Sequence, residues 1–165
     1  MDVPGALQNL AEVGVAITGF SGIVAVVGYS SAGSWTTADR EGFRSLVVWS
    51  LGAAFLAYVP VVLLSLGPHV SMPWRLSNGV SAAFHGYIIL RTLRGVRAHP
   101  EILTRYTLFL FVIGFAVLAA EIAAAVGPLA SVAPSVYLTA VIWFLFLAVT
   151  CFLHLVDRSF GSSVT

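Results

Sequence analysis

Lysine is absent from this chain, and cysteine occurs once, at Cys151. Without lysine there is no Schiff-base attachment point for retinal or another carbonyl cofactor, and no lysine-based phosphate loop. A single cysteine excludes an intrachain disulfide and leaves no resolving thiol for a redox cycle; no cluster has the spacing of a zinc site. Charge of either sign is scarce: 9% of the 165 residues are charged, 59% are hydrophobic, and the net charge is +1. So weak a cationic balance argues against nucleic-acid binding. Most of the apolar runs also lack the polar stripe that a soluble helix carries.

What is present is hydrocarbon in long stretches. Five apolar runs, Leu7–Tyr29, Leu46–Leu66, Leu76–Leu90, Tyr106–Val126 and Val136–Val156, each approach the roughly 20 residues that cross a bilayer core. The sequence predicts an all-α integral membrane bundle of five transmembrane helices, a single domain over 1–165 with spans near 7–29, 46–66, 76–93, 106–126 and 136–156. The flank Met1–Gln8 holds Asp2 and no basic residue, unlike the positive start of a cleaved signal peptide. Turn chemistry agrees: Gly67-Pro68, Met72-Pro73 and Gly127-Pro128 break the chain between runs. Thr36 three residues before Asp39 resembles a capping box, and Pro60 predicts a kink in the second span. Tyr29, Trp74, Tyr106 and Tyr137 fall near span ends, where amphipathic rings favour the headgroup layer.

Arginine gives the orientation. With five spans, one side receives Arg40, Arg44, Arg91, Arg94, Arg97, Arg105 and Arg158, and the other receives Arg75 alone. The positive-inside rule then puts the N-terminus outside and the C-terminus in the cytoplasm. The third run is short and carries Ser77, Asn78, Ser81 and His85. Were it not a span, the arginine asymmetry would largely vanish, so its polarity is read as shielding by protein.

Ionisable groups at membrane depth are costly and are functional candidates by default. Glu12 lies about five residues into the first span and Glu121 about five from the outer end of the fourth, both roughly 7–8 Å below the outer surface. His85 falls near the midplane. Arg75, Asn78, Ala82, His85, Ile89 and Thr92 follow a 3-4-3-4-3 spacing and share one helix face, with Ser81 beside it. These residues define a candidate ion pathway: Glu12, Arg75, Asn78, His85 and Glu121. Two readings stay open for each. Glu12 either snorkels in the interface or faces the interior; Glu121 makes either a structural tie to Arg75 or backbone, or a step in a pathway; His85 is either packed or active.

A second pattern is the small-residue row Gly14, Thr18 and Gly22 in the first span. Small residues let helices approach closely in a bilayer. The row serves either packing within one chain or the interface of a homo-oligomer.

Two stretches of the sequence carry resemblances to known membrane proteins. Gly19-Phe20-Ser21-Gly22 with His85 resembles the G-x-S-G and histidine pair of rhomboid intramembrane proteases. The span count and the placement of the serine in the first span depart from that family, and Ser21 would lie about four residues deeper than His85, outside dyad reach. A haem between His85 and His154 fails on depth in the same way. The first span AITGFSGIVAVVG, the Trp35–Arg40 loop with its Asp-Arg pair, and a last span ending in aromatic and basic residues resemble small bacterial multi-spanning membrane proteins. That resemblance implies a bacterial cytoplasmic (inner) membrane and carries no chemistry.

The sequence therefore points to a small, oligomeric channel or ion-translocating protein for a cation or proton, with no cofactor; an enzyme acting within the membrane, through Ser21 or the carboxylates, stays open as a third class. The competing reading is a non-catalytic accessory subunit that docks on another membrane protein.

Overall fold

The computed structural model describes residues 3–32, 37–65, 71–98 and 104–160. The capping box at Thr36 and the Gly67-Pro68 break lie outside the described residues. The rest is helical: α1 Val3–Ala32, α2 Thr37–Ser65, α3 Ser71–Ala98, α4 Arg105–Val126 and α5 Ala133–Phe160, with a 3-10 turn at Ala130–Val132.

The helix boundaries follow from local chemistry. Pro4, Pro73 and Pro134 each occupy the first turn of a helix, where a missing N–H costs nothing and the fixed φ is already helical. Thr104 caps α4, its hydroxyl accepting from the Thr107 N–H at 3.1 Å. Gly127 ends α4 at φ 125°, and the N–H groups of Gly127 and Leu129 both return to the Ala123 carbonyl. Pro60 lies buried within α2.

Four segments are long and apolar enough to cross a membrane: Val3–Val26, Arg40–Ser65, Arg105–Val126 and Ala130–Asp157. α3 does not meet that standard, because Arg75, Ser77, Asn78, Ser81 and His85 dilute its first half and Arg91, Arg94 and Arg97 its second. Its two faces are nonetheless sharply different. Between Leu76 and His85 the exposed side includes Leu76 and Val80 and the buried side is Ser77, Asn78, Ser81 and His85; outside that stretch Trp74, Ile88 and Ile89 are buried, Tyr87 and Leu90 are exposed, and so are Arg75, Arg94 and Arg97. A water-soluble helix has the opposite arrangement.

The chain divides into two compact units, Met1–Tyr58 with Val141–Thr165, and Val59–Ala140. In the first, Leu7, Ala11, Leu46, Ala53, Phe144 and Ala148 form the interior, and Trp49 stacks on Phe144 with ring centroids 5.5 Å apart. The approach of α1 to α2 is close. A Cβ on Gly14 would stand 2.7 Å from the Ser50 carbonyl oxygen, and the Thr18 and Ser50 hydroxyls are 2.6 Å apart. Both hydroxyls also bond to carbonyls one turn back, on Gly14 and Leu46. Two members of the small-residue row are thus spent on a contact within the chain, whereas a Cβ on Gly22 meets nothing within 4 Å.

This contact makes a stability test. Gly14→Ala forces the Ser50 backbone to move and lowers stability by about 1–3 kcal/mol. Gly22→Ala, in open space, leaves stability unchanged or raises it by up to about 1 kcal/mol through helix propensity. Unfolding of purified protein in mixed micelles, titrated with a denaturing detergent, measures both.

Candidate functional site

Between α3 and α4 in the second unit, the sequence places a carboxylic acid where no water reaches it. Glu121 sits in the run Leu118-Ala119-Ala120-Glu121-Ile122-Ala123 on α4, and its side chain is 0% exposed. Taking a carboxylate out of water costs several kcal/mol unless hydrogen bonds replace its hydration. α3 supplies the replacements. Ser81 and His85 stand four residues apart, one turn up the same face, so both side chains reach one point on the neighbouring helix. The Ser81 hydroxyl donates to Glu121 Oε1, and His85 Nδ1 is bonded to Glu121 Oε2 at 2.8 Å. His85 is 1% exposed. Each carboxyl oxygen therefore has its own partner, and the contact pins α3 to α4 at a single register.

The arginine that the sequence sets near this network does something else. Arg75 donates through Nε to the Ala125 carbonyl at 3.0 Å and through Nη2 to the Val126 carbonyl at 3.2 Å. These are among the last carbonyls of α4, which have no partner within the helix. A cation at a helix C-terminus is also favoured by the backbone dipole. Arg75 is an exposed cap on α4, and the partners of the Glu121 carboxylate are Ser81 and His85.

Asn78 lies one turn before Ser81 on α3 and is fully buried. Its Nδ2 donates to the carbonyls of Trp74, at 2.8 Å, and Ala133, at 3.0 Å. Asn78 thereby ties α3 to the start of α5, and Trp74 meets Tyr137 edge-on, with centroids 6.2 Å apart. Both rings are buried. At these span ends the two rings pack against protein, beside the polar residues of α3.

Glu12 belongs to the first unit. It is exposed on α1 and lines a shallow, open depression of about 330 Å³ with Ala11, Val15, Ala16 and Tyr58. Of the five proposed pathway residues, His85 and Glu121 are joined directly. Asn78 is near them on the same helix face, Arg75 caps α4, and Glu12 stands on the other unit.

Ser81 was only a flanking residue in the 3-4 pattern, yet it makes one of the two bonds to Glu121. The signal for it was its place four residues before His85. Ser77 is buried too, and its hydroxyl donates to the Pro73 carbonyl at 2.8 Å. Ser21, the serine of the protease-like pattern, donates to the Ile17 carbonyl at 2.5 Å and bonds no histidine among the described residues. Among the described residues, no three His, Cys, Asp or Glu side chains converge to hold a metal ion.

Comparison with protein-family models, with curated proteins and with solved structures finds no match to this chain.

The Ser81–Glu121–His85 geometry has an energetic consequence. His85→Leu removes one of two partners from a buried carboxyl and lowers stability by roughly 3–5 kcal/mol. The double variant His85→Leu/Glu121→Leu loses less than the sum of the two single variants, by about 0.5–3 kcal/mol. A double-mutant cycle of unfolding free energies in micelles gives the coupling, and strictly additive losses would refute it.

Proposed function

We propose that this chain is a small ion-translocating protein of the membrane and that the ion it moves is the proton. The observation that carries this reading is the Ser81–Glu121–His85 contact, in which a fully buried carboxyl and an imidazole share a hydrogen bond 2.8 Å long. A pair of this kind exists in two forms with the same number of protons: carboxylate with imidazolium, or neutral carboxyl with neutral imidazole. The shared proton moves along the existing hydrogen bond, and a second proton can be taken up without breaking it. Imidazole is the side chain whose ordinary titration range is nearest neutrality. Ionisable residues inside a membrane characteristically mark such relays.

The membrane setting of the proposal is a five-span bundle with the N-terminus outside. α3 counts as a span because, between Leu76 and Leu90, large apolar side chains are exposed while Ser77, Asn78, Ser81 and His85 are buried, which is the form that shielding in lipid requires. Orientation rests on arginine: seven of the eight fall on the cytoplasmic side only if α3 crosses. The resemblance of the first span, the Trp35–Arg40 loop and the last span to small bacterial multi-spanning membrane proteins supports a bacterial inner membrane as the setting. Glu12, exposed near the outer end of α1, attracts cations to the outer mouth. The open surface at Gly19 and Gly22, where an added Cβ meets nothing, is available to a neighbouring copy in a homo-oligomer.

The same open surface favours a second reading, an accessory subunit that docks α1 on another membrane protein. Purification in mild detergent separates the two. A lone homo-oligomer supports translocation, and a stoichiometric foreign partner supports the accessory role.

Proteoliposomes carrying an imposed pH gradient test the main reading. Wild-type protein dissipates the gradient, Glu121→Gln abolishes the flux while remaining folded, and Glu12→Gln slows it without stopping it. Flux that survives Glu121→Gln unchanged would remove this site from the mechanism. In cells lacking other accessible thiols, a cysteine placed at position 8 in a Cys151→Ser background reacts with an impermeant maleimide added outside, and one placed at position 97 does not.

A further inference from the structure

Asn78 is satisfied on only one end of its amide. Both Nδ2 protons are used, on the Trp74 and Ala133 carbonyls. That fixes which end is which, since the reversed amide would set its oxygen against two carbonyl oxygens. Oδ1 is then a fully buried acceptor with no donor among the described residues. Buried polar atoms are rarely left so, and an orphan of this kind signals a bound species.

The neighbouring hydroxyl protons are committed elsewhere. Ser77 donates to the Pro73 carbonyl and Ser81 to Glu121. The N–H groups of α3 around Asn78 lie beyond the first turn and are taken by its backbone ladder. The missing donor is therefore a small molecule or a cation. A hard metal cation collects about six oxygens, whereas the oxygens here are already bonded to protons. A buried water is content with two to four partners. Asn78 and Ser81 are three residues apart on one face, about 5–6 Å between Cβ atoms, a gap that one water closes with two hydrogen bonds.

We infer that a water molecule is bound inside this unit, donating one proton to Asn78 Oδ1 and the other to Ser81 Oγ, and that it is the last step by which protons reach Glu121. Every donor then points the same way: water to Ser81, Ser81 to Glu121. A proton arriving on the water passes to Ser81 Oγ as the serine's own hydroxyl proton passes to Glu121 Oε1. Water and serine end neutral, and the carboxylate gains one proton. The role in proton movement rests on the proposed function above, whereas the occupancy of the site does not.

The test is a map of wild-type protein in nanodiscs, at a resolution that orders internal waters, in sodium and in choline buffers. It is paired with gradient-dissipation rates for wild type, Asn78→Leu and Ser81→Ala. Ser81→Ala leaves the Asn78 amide bonds in place and guards against a folding defect in Asn78→Leu. The expected result is a peak within hydrogen-bond distance of Asn78 Oδ1 and Ser81 Oγ in both buffers, with flux reduced at least tenfold in each variant. A map that orders other internal waters but has no peak there overturns the inference, as does a peak that requires sodium. A peak accompanied by wild-type flux in both variants overturns the relay. A peak in wild-type protein that moves no protons upholds the water site while removing the proposed function and the relay with it.

Discussion

A carboxyl group without water has to be given partners, and in this protein that requirement organises an entire helix. Glu121 is held by Ser81 and His85, which must then lie on one face of α3, one turn apart. The same face carries Ser77 and Asn78, so the middle of α3 is polar where it touches protein, with Trp74, Ile88 and Ile89 buried on either side. Its outer face is left to Leu76, Val80, Tyr87 and Leu90. The helix that fails a simple hydropathy standard fails it because it serves the acid on its neighbour.

The surrounding contacts fix the geometry of that pair. Arg75 closes the C-terminal end of α4 through two carbonyls, and Gly127 turns the chain immediately after it. Asn78 bonds across to the first residue of α5. Thus the helix that bears the acid and the helix that follows are both tied to α3 within two turns of Ser81. A short polar contact of this kind adds directional specificity where packing alone would tolerate sliding.

The first unit solves a different problem with different chemistry. Its α1–α2 contact depends on a missing side chain at Gly14 and a hydroxyl pair, Thr18 with Ser50. Close backbone approach replaces buried charge, and the only carboxylate described on α1, Glu12, stays on the surface. One chain therefore uses two devices to hold helices together: small-residue packing in one unit and a buried polar network in the other.

Composition and run length alone pointed to a helical chain suited to a membrane, since the apolar runs approach the length of a bilayer-crossing helix and charge is scarce. Four of those runs coincide with helices long and apolar enough to span. Glu121 and His85 were also legible, because an isolated ionisable residue in an apolar run is anomalous wherever it folds. What the tertiary structure decided was the pairing. Arg75, the obvious counter-charge, turned to helix-end carbonyls, and a serine took its place. Trp74 and Tyr137, placed near span ends by sequence, pack there against protein. Periodicity says which residues share a face, but the rotation of α3 against α4 decides which of them meets the acid. That rotation is set by side-chain packing between segments some forty residues apart, which no local pattern encodes.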